Sequence, residues 1–65
     1  MDICVKNFDE NGDFLIDAEF DKKEESILFI KGRIGWCLQV KKNASFHVVE
    51  ENKVLAKITV EIFPQ

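Results

Sequence analysis

The chain has 65 residues, of which 46% are hydrophobic, and a net charge of −3. That length allows one domain, spanning 1–65, and the apolar content excludes a disordered chain. The acidic balance argues against nucleic acid as a partner, because phosphate binding needs a clustered positive surface.

A domain this small buries only about 60% of the surface its unfolded chain exposes. It commonly relies on a disulfide, a metal, a partner or very regular packing. The first residues, Met1-Asp2-Ile3-Cys4, lack the basic region and apolar stretch of a signal peptide. No apolar run approaches the roughly 18 residues of a membrane span. The expectation is a cytoplasmic protein with no membrane contact. Cys4 and Cys37 form no Cys-x-x-Cys pair, and His47 is near neither in sequence, so no metal site and no cofactor are expected.

In chain order, the first signal is a hairpin. Asn11-Gly12 lies between the apolar runs 3–8 and 13–20, and both residues tolerate positive φ. A two-residue loop pairs Glu10 with Asp13, Ile3 with Phe20 and Val5 with Ala18, and places Ile3, Val5, Phe14, Ile16, Ala18 and Phe20 on one face. A four-residue loop, Asp9 to Gly12, keeps the same parity, whereas a three-residue loop would split that set, because a slip of one residue flips a strand's faces.

Residues 22–25 read as a charged connector, with a short helical turn around 21–25 as an option. Phe20, Glu24, Ile27 and Leu28 fall near helical spacing, but Ser26-Ile27-Leu28-Phe29-Ile30 is a compact β-type run. The expected third strand is 26–31. Gly32-Arg33-Ile34-Gly35 then reads as a turn or bulged bend, and 36–40 as a fourth strand.

Two connectors of similar composition follow, Lys41-Lys42-Asn43 and Glu50-Glu51-Asn52. Three-residue loops ending in a left-handed asparagine would pair Leu38 with Phe46, Trp36 with Val48, Val48 with Val54 and Phe46 with Ala56. Val54, Ala56, Ile58, Val60 and Ile62 alternate with mostly polar neighbours, the mark of a strand with one buried face.

The expected fold is therefore all-β: an antiparallel meander of five or six strands, strongly twisted or partly closed into a barrel. Its core would hold Ile3, Val5, Phe14, Ile16, Ala18, Phe20, Ile27, Phe29, Trp36, Leu38, Val40, Phe46, Val48, Val54, Ala56, Ile58, Val60 and Ile62. The second face would carry Phe8, Leu15, Leu28, Ile30, Cys37, Val49, Leu55 and Phe63. An apolar face of that size on a small sheet points to a binding surface. Unpaired strand edges point the same way.

Several chemistries are tested by residue type and spacing. Asp9, Asn11 and Asp13 match the first ligands of a calcium-binding EF-hand loop, but Phe14 and Phe20 stand where its glycine and bidentate glutamate are needed. Ser45, Asp17 and His47 have no spacing that joins them in a triad, and no phosphate loop or nucleophile elbow occurs. The expectation is a non-enzymatic, protein-binding protein: a regulator, inhibitor or adaptor, acting as a homodimer. Its interface candidates are Phe8, Leu15, Leu28, Ile30, Val49, Leu55 and Phe63. The alternative is a small barrel binding a ligand or single-stranded nucleic acid through Lys31, Arg33, Trp36, Lys41 and Lys42.

Phe8-Asp9-Glu10-Asn11-Gly12-Asp13-Phe14-Leu15-Ile16, with Gly35-Trp36 further on, resembles the MbtH-like proteins. That resemblance implies a partner of the adenylation domains of nonribosomal peptide synthetases. Two departures are visible: Asn7 is not followed by proline, and Glu25-Ser26-Ile27-Leu28 stands where the family has Ser-x-Trp-Pro.

Overall fold

The computed structural model describes residues 2–63; the side chains of residues 16 and 17 lie outside that description, and with them the core place expected for Ile16. Four strands and one helix follow in order: β1 (Ile3–Phe8), β2 (Phe14–Phe20), α1 (Lys23–Val40), β3 (Ala44–Glu50) and β4 (Lys53–Val60). The strands form one open antiparallel sheet in the order β2-β1-β3-β4. The antiparallel sheet was legible in the sequence. The all-β assignment is corrected, because residues 23–40 form a helix where two strands and a glycine bend were expected.

The topology requires such a connector. β2 and β3 both run antiparallel to β1, on opposite sides of it, so they are parallel to each other. A link between parallel strands must cross the sheet, which takes a dozen or more residues and is usually helical. An 18-residue helix spans about 27 Å. The local sequence permits it. No proline interrupts the segment, Glu24 and Glu25 lie in the first turn, where the helix dipole favours acids, and Ser26, Ile30, Arg33, Ile34 and Cys37 recur at helical spacing. Gly32 and Gly35 each cost about 1 kcal/mol relative to alanine. Burial of Ile30 offsets about 1.5–3 kcal/mol of that.

The core lies between this helix and the inner face of the sheet. Val5 and Phe46, both 0% exposed, meet Ile30 and Cys37 from the helix, with Ala44 and Val60 completing the cluster. Phe20, Phe29, Ile34, Val48, Ile58 and Ile62 pack around it. Phe20 and Phe29 join β2 to the helix, with ring centroids 5.4 Å apart.

Both hairpins contain a bulge, and the bulges correct two core assignments. Ile3 pairs with Phe20 and Val5 with Ala18, as the sequence indicates, but Phe8 pairs with Phe14 rather than with Leu15. Leu15 is the extra residue. It turns Phe14 to the outer face, where the ring meets Phe8 edge-on at 6.0 Å. In the second hairpin, Glu51 and Asn52 both have positive φ, at 50° and 65°. They form a two-residue turn of the type that matches strand twist, not the three-residue loop expected. Leu55 is the extra residue there, so Phe46 pairs with Ile58 and Val48 with Ala56, while Val54 pairs with Val49 on the outer face. Ile27, Trp36, Leu38 and Val40, also expected inside, are exposed on the helix.

The helix ends at Lys41, which takes the left-handed conformation with φ 58°, its N–H bonded to the Cys37 carbonyl. A side chain with a Cβ is strained there. Lys41→Gly is expected to raise stability by about 0.5–1 kcal/mol, seen as a higher urea midpoint with an unchanged slope. A lower midpoint would mean the lysine side chain holds the helix end in another way.

Candidate functional site

The helix meets the sheet on one side and leaves several large apolar side chains exposed on its flanks. Successive residues turn by about 100° around the axis. Ser26, Ile30 and Cys37 therefore form the buried stripe against the sheet. Phe29, Arg33 and Trp36 lie on the flank toward β2, as the Phe29–Phe20 contact shows. Ile27, Ile34 and Leu38 lie on the opposite flank, toward β3 and β4. Leu28 lies on the side away from the sheet, among Glu24, Glu25, Lys31, Gly32, Gly35 and Gln39. Leu28 is 67% exposed, Leu38 57% and Ile27 50%.

The sheet is uncovered beside that helix. The helix packs mainly on β1, β2 and β3, and β4 joins the core at Val60. On β4, Ala56 is exposed and Ile58 half-buried, although both pair with inward-facing residues of β3. Val60, at the other end of β4, is buried in the core, so the opening on this strand is confined to the neighbourhood of Ala56. The molecule is correspondingly extended. Its radius of gyration is 11.8 Å, against about 10.7 Å for a compact chain of this length. Its accessible surface is 4866 Å², about 600 Å² above the value scaling gives for a compact monomer of its mass.

A cleft of about 210 Å³ opens on the other flank, lined in part by Asn7, Leu15, Arg33, Trp36 and Lys42. Asn7 is buried on the inner face, an unusual place for an amide. Its Nδ2 donates to the carbonyls of Phe8 at 3.2 Å and Ser45 at 3.3 Å, and its Oδ1 accepts from Arg33 Nη2 at 3.2 Å. The Arg33 guanidinium lies over the Trp36 ring, 4.9 Å from its centre, a favourable cation–π placement. Arg33 Nε is buried without a hydrogen-bond partner. Of the five residues expected to meet an anionic ligand, Arg33, Trp36 and Lys42 line this cleft. Lys31 and Lys41 do not belong to that lining. Asp9 and Glu10 line the same cleft with opposite charge.

The acidic hairpin loop is engaged with itself. Asp9 Oδ1 accepts the N–H groups of Asn11 at 2.9 Å and Asp13 at 2.8 Å, which holds the turn around Gly12, whose φ is +85°. Among the described residues, no group of three or more His, Cys, Asp or Glu side chains could hold a metal ion.

The interface candidates do not share one face. Phe8 and Val49 are half-buried on the outer face of the sheet, where Phe8 stacks against His47 at 4.8 Å. Leu15 and Leu55 are the two bulge residues, both exposed. Leu28 is on the helix side away from the sheet, and Phe63 is exposed beyond β4. Ile30 is corrected to the core, at 4% exposure, because the helix turns it toward Val5 and Phe46. The sequence reading missed the flank of Ile27, Ile34 and Leu38. Its signal was spacing by four, three and four residues through Lys31, hidden by apolar residues between. No described helix is long and apolar enough to cross a membrane.

No family model, curated protein or solved structure matches the chain. The likeness of residues 8–16 and 35–36 to MbtH-like proteins therefore rests on those residues alone.

Asn7 and Arg33 tie the helix to β1 and β3. Asn7→Ala is expected to lower stability by about 1–3 kcal/mol, because it strands the Phe8 and Ser45 carbonyls and the guanidinium. Combined with Arg33→Met it should cost less than the two single changes added. Chemical denaturation of the four proteins measures this; strict additivity would show that the bond carries no coupling.

Proposed function

We propose that this protein is a non-enzymatic protein-binding module that acts by self-association, in the class of small regulators, inhibitors or adaptors. The single observation behind the reading is the set of large apolar side chains that the helix leaves exposed, Leu28 at 67%, Leu38 at 57%, Ile27 at 50% and Trp36 at 44%. In water, exposed apolar area costs roughly 25 cal/mol per Å². Association removes that area and also steadies a chain too short for a large core.

A standard interface buries about 800 Å² on each partner. The surplus surface of this molecule is of that order. Light scattering on reduced protein at two concentrations tests the reading. The expected mass is about 15 kDa, twice the 7.5 kDa of one chain. A mass of one chain at both concentrations would sink it.

The Arg33–Trp36 pair favours one second reading, binding of single-stranded nucleic acid in the cleft that Lys42 also lines. A short oligonucleotide would then quench Trp36 fluorescence at low salt, and the quenching would fade as salt rises. No quenching at low salt rejects it.

A further inference from the structure

We infer that the free edge of β4 pairs with the same edge of a second copy, antiparallel and centred on Thr59, so that the two sheets join into one. This rests on the self-association reading and locates its contact.

β4 is one edge of the sheet. Residues 53–57 and Thr59 are exposed along it. The direction of its backbone groups follows from one hydrogen bond, in which the Ile62 N–H donates to Asn43 Oδ1 at 2.7 Å. Asn43 immediately precedes β3, so that N–H is directed to the β3 side. Backbone groups of an antiparallel strand alternate between its two sides. Ala56, Ile58 and Val60 therefore bond to β3, while Lys57, Thr59 and Glu61 direct their N–H and C=O groups out of the sheet. β3 has the matching phase. The Ser45 carbonyl accepts from Asn7 on β1, so the flanking Ala44 and Phe46, which pair with Val60 and Ile58, face β4. Outward backbone groups on an edge are a template for a further strand.

Charge selects the partner and the register. Read antiparallel against itself about Thr59, the segment is self-complementary. Lys57 faces the partner's Glu61 on the outer face, and two-fold symmetry sets Glu61 against the partner's Lys57. Thr59 meets the partner's Thr59, a favourable cross-strand pair. Leu55 and Phe63, 47% and 75% exposed, come opposite the partner's Phe63 and the partner's Leu55. On the inner face, Ala56 meets the partner's Ile62 and Ile58 the partner's Val60. The outward groups of residues 57, 59 and 61 then exchange about six backbone hydrogen bonds with their counterparts. Centring on Lys57 would instead set lysine on lysine, and centring on Glu61 would set acid on acid. The opposite edge of the sheet, β2, carries acids at positions 17 and 19 and no base, so two β2 edges brought together gather like charge. The two-fold axis is normal to the sheet, which keeps both helices on one face of it. Their flanks of Ile27, Ile34 and Leu38 face each other across the paired β4 strands.

Charge exchange and cross-linking, read together with the solution mass, test this contact. Lys57→Glu and Glu61→Lys should each weaken the dimer about tenfold, because each sets like charges together twice. The double exchange, Lys57→Glu with Glu61→Lys, should restore it. In a Cys4→Ala background, where the remaining Cys37 is buried, Thr59→Cys should form a disulfide-linked dimer on mild oxidation. Facing Cα atoms in such a pair lie about 5.5 Å apart, within reach of a disulfide. Lys53→Cys should not link, because in this register it lies about 40 Å from the partner's Lys53. A dimer that ignores the charge exchanges and does not link through residue 59 would overturn this contact and leave self-association standing. A mass that climbs past the dimer with concentration would overturn it too, because a two-fold contact closes at two chains. A protein monomeric at both concentrations would overturn both readings. If Thr59→Cys disturbs folding, seen by circular dichroism, restoration by the double exchange decides alone.

Discussion

The structure depends on one geometric constraint: a single helix must carry the chain across β1, from one edge of the sheet to the far side of its centre. β2 and β3 are parallel neighbours of β1 on opposite sides, so the link between them cannot be a tight turn. The crossing places α1 over the inner face. From that position Ile30 and Cys37 reach Val5 and Phe46 and close the core. The same crossing covers β4 at Val60 and leaves Ala56, nearer the second hairpin, exposed.

Polar groups are held to this frame economically. Asn7 stands in the middle of the inner face and satisfies its amide with two carbonyls and Arg33. Asn43 does similar service at the other end of the helix connector, where its Oδ1 accepts the N–H of Ile62 at 2.7 Å and anchors the segment after β4. Arg33 links these polar contacts to the surface by lying over Trp36. The flank toward β2 is thus furnished with hydrogen bonds and a cation–π contact. The flank toward β4 carries Ile27, Ile34 and Leu38.

The hairpins show how alternation can be kept while register is not. Both use an extra leucine, Leu15 or Leu55, to restore the core face after a loop whose parity would have lost it. Counting apolar residues in alternation identified Ile3, Val5, Ala18, Phe46, Val48 and Ile58 with the inner face. It failed at Phe14 and Val54, which lie between loop and bulge and so face outward. A bulge leaves no mark in a period-two pattern, because it shifts the phase of the residues around it without changing their type.

The sequence by itself determined the alternating strands and where the two hairpins turn, near Asn11-Gly12 and at residues 50–52, because local conformation is written in neighbouring residues. Their loops differ from the expected ones: the first runs over residues 9–13 and the second over Glu51-Asn52 alone, and the hairpin expected at 41–43 does not form, since β3 pairs with β1 and β4. The sequence did not determine the state of residues 23–40. Ile27, Leu28, Phe29, Ile30, Trp36 and Leu38 satisfy a strand pattern and a helical one about equally, since Leu28 interrupts the polar side of the helix while Ser26 and Arg33 stand on its covered side, which blurs the helical period. The tertiary structure decided it through the crossover that β2 and β3 require. That decision sent Ile30 and Cys37 to the core and Ile27, Leu28 and Leu38 to the surface. The surface on which the proposed function rests is therefore a product of topology, which no local pattern encodes.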